Sequence, residues 1–308
     1  MDDKGMVFIN GEYVAPADAK ISVFDNGFIK SDVVYDVTST WHGQFFRLDD
    51  HVARFLRSCE GFRLTCPYSA DEIRRIVAEC VSQGDVADAS YVEIVLTRGH
   101  YKEFIGGMPN LYDTDVTFIA FAIPYRWIVP MEQQATGIDI IIAKTRRIPD
   151  ECVNQRFKNF HWGDLTMARF EAIDAGAQNA ILCTPDGVLS EGPGFNVFWT
   201  KDGTLHTPDS NVLEGITRQT VFDLADDASV ACETGRYPPE ALLEADEAFL
   251  CSTAGGIMPV VGVDDRTLSN GAPGEITSRL RELYWSKREA GWLGTPVEDI
   301  LQKSAVAE

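Results

Sequence analysis

Four short segments of the sequence hold side chains able to do chemistry. Lys158 stands in Arg156-Phe157-Lys158-Asn159-Phe160-His161-Trp162, an aromatic setting just ahead of an expected helix. An amine nucleophile must shed its proton near neutral pH. Apolar surroundings help, because desolvation disfavours the ammonium form. The same placement also suits a lysine that lays its stem along an amphipathic helix end with its charge in water. Glu191 lies in Leu189-Ser190-Glu191-Gly192-Pro193-Gly194-Phe195-Asn196. A carboxylate beside such a glycine-rich turn either keeps a proton on a ring nitrogen deep in a cleft or is an acidic turn residue between two strands.

Gly215-Ile216-Thr217-Arg218 opens an expected helix, with Thr217 near its start. Unpaired backbone N–H groups and a hydroxyl at such a start can hold a phosphate dianion, or form a plain N-cap. Ser252-Thr253-Ala254-Gly255-Gly256 follows an expected strand and offers further N–H and hydroxyl donors, or a glycine turn. Arg54 interrupts the apolar stripe of another helix, and a cation facing inward needs an anion. That anion is either an Asp or Glu of the chain or a phosphate.

These segments need elements to carry them. Val7–Ile9 and Glu12–Val14 flank Asn10-Gly11, a hairpin signal, and Val33–Trp41 and Gln44–Arg47 flank His42-Gly43 in the same way. Asp49 or Asp50 is expected to cap a helix carrying Val52, Phe55, Leu56 and Phe62, and a second helix is expected over 70–82. Strands follow at Tyr91–Thr97 and Val116–Ile123, separated by Gly99–Asp115, which reads as a long loop. Beyond the proline-bracketed segment 124–130 the pattern gives a strand at Ile138–Thr145, a helix over 164–175, a strand at Ala180–Thr184, and turns at Pro185-Asp186-Gly187 and Lys201-Asp202-Gly203. A helix from Thr217, a strand at Ala248–Ser252 and a last helix over 274–289 complete it. Strands mixed with helices, joined partly by hairpins, indicate two α+β domains with partly antiparallel sheets. The expected division is 1–123, a connector at 124–130, and 131–308.

Composition narrows the function. The chain has 308 residues, 45% of them hydrophobic, and a formal net charge of −20. That field repels phosphate backbones, so no nucleic-acid partner is expected. No apolar run approaches the roughly 20 residues that span a bilayer, and Met1–Gly5 is polar rather than a secretory signal, so the expected location is the cytoplasm. The seven cysteines show no C-x-x-C pair and the five histidines no ligand spacing, so reduced thiols and no metal site are expected.

Taken in order, these segments resemble the fold type IV aminotransferases that depend on pyridoxal phosphate, a group with branched-chain, D-amino-acid and (R)-selective amine transaminases. The resemblance runs from Phe24-Asp25-Asn26-Gly27-Phe28 to the last expected helix. It rests most on Lys158–Leu165, Glu191–Asn196, Gly215–Arg218 and Cys251–Gly256. It implies that Lys158 forms the Schiff base and shuttles the proton and that Glu191 partners the pyridinium nitrogen. Arg54, Ile216 (through its N–H), Thr217 and Thr253 would hold the phosphate, with Phe195, Asn196 and Ser252 completing the cofactor site. It further implies a homodimer acting on small amines or amino acids and keto acids.

Within the group the chain is most similar to the (R)-selective amine transaminases, through Tyr35-Asp36-Val37, Pro124–Pro130 and Trp162-Gly163-Asp164. That likeness implies a pocket lined by Tyr35, Val37, Tyr91, Glu93, Trp162 and Ala254. Two positions depart from it. Lys30 stands where that branch has His or Arg, and Phe104 stands where a loop arginine pairs the keto-acid carboxylate. Lys30, Lys102 or Arg98 is left to bind the acceptor. The expected reaction is ping-pong transfer of an amino group from an R-configured primary amine to a keto acid. The alternatives are an amino-acid aminotransferase of the branched-chain or D-specific kind and an aminodeoxychorismate-type lyase.

Overall fold

The computed structural model describes residues 4–307, with side chains described through Lys303; residues 1–3 of the polar amino-terminal stretch lie outside them. The chain forms two compact units, residues 4–126 with 157–160 and 288–307, and residues 127–156 with 161–287. The break after Arg126 falls inside the expected connector. The rest of the chain does not stay in one unit, because it returns to the first unit twice. Asn159 bridges Val34, and a strand at Gly294–Pro296 pairs with Gln44–Phe46, which buries Val297 in the first core.

In the first unit, β1 (Val33–Trp41), β2 (Ala89–Tyr101) and β3 (Thr114–Pro124) are the long central strands. With the short strands 6–9, 12–14, 44–46 and 294–296 they form an antiparallel sheet of seven strands among the described residues. Asn10 and His42 both have positive φ (48° and 50°), and each precedes a positive-φ glycine, so both hairpin turns bend the way the strand twist requires. Helices α1 (Leu48–Gly61) and α2 (Ala70–Gln83) cover one face. α2 starts on a capping box in which Ser69 and Glu72 satisfy each other's backbone. α1 is not capped by Asp49 or Asp50. Arg47, at φ 52°, takes that position, and both aspartates sit in the first turn, where they favour the helix dipole.

α1 and α2 bury Val52, Phe55, Ile73, Ile76 and Val77 against Val34, Ile94, Leu96 and Phe118 of the strands. Each such side chain contributes about 1.5–3 kcal/mol by leaving water. The expected long loop is shorter than its composition suggests. β2 runs on to Tyr101 past a bulge and β3 begins at Thr114, with a two-stranded turn at 104–109 between them. Glycine and polar residues there hide an extension held by backbone pairing rather than by an apolar pattern.

The second unit is built on β4 (Ile138–Arg146), β5 (Asn179–Cys183), β6 (Asn196–Lys201), β7 (Glu247–Ser252) and β8 (Gly256–Val263). β5, β4 and β8 run parallel to one another, while β8, β7 and β6 alternate, so the sheet is mixed. One core gathers Ile181, Val197, Leu250, Met258 and Val260. A smaller one holds Ala143, Ala180 and Leu182 against Leu165, Ala168 and Ala172 of α3 (Gly163–Asp174). α4 (Ile216–Asp227) packs along β7. No helix among the described residues is long and apolar enough to cross a membrane.

Candidate active site

Lys158 belongs to the first unit because its backbone is tied there. Its N–H donates to Ser58 Oγ of α1 at 3.0 Å, and its carbonyl accepts from Tyr35 N of β1 at 3.1 Å. Ser58 Oγ in turn donates to Arg54 O at 2.9 Å. The Phe157 ring packs on Gly61, where an added Cβ would meet it at 2.5 Å. The segment before α3 is therefore pinned to α1 and β1. The part-buried Lys158 Nζ donates to Tyr35 Oη at 3.1 Å and lies 4.2 Å from the centre of that ring, on which Phe160 also packs at 4.4 Å.

The alternation of a strand decides what else meets this amine. Tyr35 and Val37 of β1 share a sheet face with Tyr91, Glu93 and Val95 of β2, through the pairs Tyr35–Val95, Val37–Glu93 and Ser39–Tyr91. Four of the expected pocket residues are thus on one face with Lys158. Glu93 accepts from Tyr91 Oη at 2.8 Å. Burial pushes the Glu93 carboxyl up to about 7, although the Tyr91 hydrogen bond and the Lys158 charge hold it back. Burial also pushes the Tyr91 phenol up, and Glu93 adds to it.

On the opposite face, Asp36 is fully buried between α1 residues. Arg54 donates to both its oxygens, at 2.7 and 2.9 Å, and His51 Nδ1 lies 2.8 Å away. Burial works against the Asp36 charge, but Arg54 and His51 outweigh it and hold the carboxyl far below the usual range. His51 is driven down by burial, so its neutral ring donates from Nδ1. The inward cation that the sequence showed at Arg54 thus meets an aspartate of the chain.

The three cations considered for the acceptor are also engaged. Arg98 pairs with Asp32 and donates to Phe62 O at 2.7 Å. Lys30 donates to Tyr101 Oη at 3.1 Å, and Lys102 pairs with Asp115 at 3.1 Å. Phe104 is exposed. Arg126, which the sequence did not single out, is exposed just past β3, and its positive charge acts on both Glu93 and Tyr91.

In the second unit, Glu191 is buried and held from both sides. Its Oε1 accepts from Arg147 Nε at 3.2 Å and Nη2 at 3.1 Å, and its Oε2 from Leu213 N at 2.8 Å. Arg147 also donates to Asp164 at 2.7 Å and to Gln155. Burial disfavours the Arg147 charge, and Glu191 and Asp164 more than restore it. Glu191 is therefore an ionised carboxylate fixed in place. Sequence reasoning passed over Arg147, because nothing in the local sequence separates it from Arg146; the fold buries the one and exposes the other.

The glycine turn after Glu191 is shaped by contact. A Cβ at Gly192 would overlap the Phe195 ring at 2.2 Å, and Ser252 Oγ donates to Gly194 O at 2.8 Å. Trp162 and Ala254 lie in this same unit, Trp162 at the start of α3 and within reach of Gly194, and Ala254 with its carbonyl accepting from Ile128 N. Asn196 donates to Leu213 O at 3.0 Å, and its Oδ1 occupies the place a Cβ of Gly215 would take, 2.2 Å away.

Gly215 is the N-cap of α4. No side chain caps this helix and its first turn has no acidic residue, yet Thr217 is only 4% exposed. The first-turn amides have no intrahelical acceptor and sit at the positive end of the helix dipole. This start suits a phosphate, the ionised Glu191 a protonated ring nitrogen, and the part-buried Lys158 a covalent attachment. Taken one by one within their own units, the residues have the chemistry that the expected cofactor calls for.

The sequence matches the family described as amino-transferase class IV over residues 33–263. A putative branched-chain-amino-acid aminotransferase of Methanocaldococcus jannaschii is 32% identical, over 90% of this chain and 94% of its own. The aminodeoxychorismate lyase of Bacillus subtilis is 29% identical, over 91% and 93%. Among solved structures, the branched-chain amino acid aminotransferase of Thermobaculum terrenum in its PLP form superposes with a TM-score of 0.85 at 26% identity, covering 96% of this chain and 99% of that one. The mixed α+β fold and the match along most of the chain agree: the chain belongs to the class IV amino-transferases and is a pyridoxal-phosphate-dependent aminotransferase.

Proposed function

We propose that the protein moves an amino group from a primary amine, R-configured, to a keto acid by a ping-pong reaction. The observation that carries the choice of donor is the sheet face around Lys158. It presents Tyr35, Val37, Tyr91 and Glu93, while Arg98 is paired with Asp32 and turned to backbone carbonyls. A face with a carboxyl and phenols favours an amine over a second carboxylate, which Glu93 in its charged form repels.

When bound, pyridoxal phosphate supplies an electron sink whose protonated ring nitrogen draws charge from the substrate carbon. Lys158 Nζ binds the cofactor and carries the proton moved in each half-reaction, oriented by Tyr35 Oη at 3.1 Å. Glu191, kept ionised by Arg147, holds the ring-nitrogen proton. The amides of Ile216 and Thr217 with the Thr217 and Thr253 hydroxyls bind the phosphate, Ser252, Phe195 and Asn196 shape the turn beside them, and Trp162 and Ala254 line the substrate side. Arg54 acts with them as a cation oriented by Asp36. Arg126 takes the acceptor's carboxylate.

A homodimer is part of the same reading. Phe24, Phe28 and Ile29 are exposed in the first unit, and Met167, Phe170 and Ile173 are exposed along α3 in the second. Apolar groups clustered in this way favour a partner of the same kind. The compartment we propose is the cytoplasm.

The test is a donor panel of (R)-1-phenylethylamine, L-leucine and D-alanine with pyruvate and with 2-oxoglutarate. Turnover of the amine supports the proposal, and turnover confined to L-leucine or D-alanine replaces it with the amino-acid reading. The likeness to the Bacillus subtilis lyase supports a second reading, which predicts pyruvate release with no acceptor present. Lys158→Ala is expected to lose both the visible absorbance of the lysine-bound cofactor and turnover; retained turnover would end the assignment.

A further inference from the structure

Two cysteines stand together away from the groups assigned above. Cys59 is buried in the last turn of α1 and Cys66 is part-buried seven residues on, after a tight reversal in which Leu64 N donates to Cys59 O at 2.8 Å. Each cysteine is the largest influence on the other's ionisation, with Cys59 raised and Cys66 lowered. The Tyr68 backbone also favours the Cys66 thiolate, while the Glu72 charge opposes its ionisation. An open groove lies beside the pair, lined by both cysteines with Leu56, Arg63, Tyr68 and Tyr112. A small polar oxidant can therefore reach Cys66, the less buried of the two sulfurs.

We propose that Cys59 and Cys66 are a redox modification site, a dithiol that a peroxide closes into a reversible disulfide. The Cys66 thiolate attacks a peroxide oxygen and the O–O bond breaks. The hydroxide that leaves takes up a proton to become water, and Cys66 becomes a sulfenic acid. The Cys59 sulfur then attacks Cys66, its proton goes to the departing hydroxide, and a second water leaves as the S–S bond forms. Two thiols lose two electrons and the peroxide is reduced to water. A small dithiol reverses the step by exchange.

The site is joined to Lys158. Cys59 follows Ser58, whose Oγ accepts from Lys158 N, and Gly61 packs on the Phe157 ring two residues further on. Drawing the two sulfurs together to about 2.05 Å moves the last turn of α1 by on the order of an ångström. A reacting group displaced that far loses up to about 100-fold in rate. This consequence rests on the proposed role of Lys158, whereas the cross-link itself does not.

The holoenzyme treated with hydrogen peroxide, blocked with N-ethylmaleimide and cut by trypsin without reduction separates the two. Cleavage after Arg57, Arg63 and Arg74 puts the cysteines on peptides 58–63 and 64–74. Those peptides are expected joined, with turnover down at least severalfold and recovered in dithiothreitol. Cys66→Ser and Cys59→Ala, two independent variants, are expected to keep turnover through the same treatment. Full alkylation of both cysteines at a dose that oxidises the exposed Cys152 would overturn the site. Joined peptides with unchanged turnover would overturn the coupling to Lys158. A holoenzyme without aminotransferase turnover before treatment would count against the proposed function alone, since the peptide map still decides the dithiol.

Discussion

Removing Arg147 tests the buried network of the second unit. Its guanidinium faces two carboxylates, and the three side chains are 5%, 8% and 7% exposed for Arg147, Glu191 and Asp164. Arg147→Met keeps most of the volume and leaves both carboxylates without their cation in a site that water hardly enters. Stranding a buried charge costs about 3–5 kcal/mol, and here two share the loss, so the upper part of that range is expected. For a unit of this size the fall in melting temperature is on the order of 10 °C. Glu191→Gln is milder, because Arg147 keeps Asp164 and the amide can still accept from Leu213 N. Its cost is about 1–2 kcal/mol. The order reverses for catalysis. Glu191→Gln removes the charge that holds the ring-nitrogen proton and lowers kcat by about 100-fold or more, while Arg147→Met leaves a carboxyl whose charge has lost its support. Urea titration of both variants and of the double variant, alongside kcat, checks this. If Arg147→Met melts within about 1 kcal/mol of the parent, or Glu191→Gln is the less stable of the two, the reasoning about the network is refuted.

Glu93 sets a pH dependence. Its carboxyl sits near 7 when folded and at 4.5 when not, so the folded state binds more protons between those values. Stability therefore falls as pH rises from about 4.5 to about 7, by up to about 3 kcal/mol, and denaturant curves of Glu93→Gln should lack that slope. Tyr35→Phe keeps the ring against Phe160 but removes an acceptor of Lys158 Nζ, so kcat should drop roughly tenfold at unchanged melting temperature. An unaltered rate would dismiss the orienting role of the phenol. Gly215→Ala drives a methyl into Asn196 Oδ1 and should weaken cofactor retention on dialysis, while cofactor bound as tightly as in the parent would speak against this account of the α4 start. Arg126→Ala should raise the KM for the keto acid at least severalfold with little change in that for the amine, as initial rates will tell.

Much of this molecule was legible in short windows. The Asn10-Gly11 and His42-Gly43 turns are set by neighbours within a few residues, where backbone preference acts before any fold exists. Helix α3 was likewise read to within a residue. The segments holding Lys158, Glu191, Thr217 and Thr253 carried a family resemblance that pointed to one cofactor.

What the tertiary structure decided is which charges meet. Arg54 gained Asp36 from 18 residues back, and Glu191 gained Arg147 from 44 residues back. Arg98 was drawn to Asp32 rather than left for an acceptor, and Gly294–Pro296 joined the first sheet although it lies near the end of the chain. Such partners are fixed by strand register and by the side of a helix a residue lands on, and both are outcomes of packing. An arginine's own neighbours in sequence are the same whether it ends exposed, like Arg146, or buried against two carboxylates, like Arg147. Local sequence sets the elements and the reactive segments, and burial then determines which charge is held, shifted or neutralised, because desolvation depends on the whole surrounding fold.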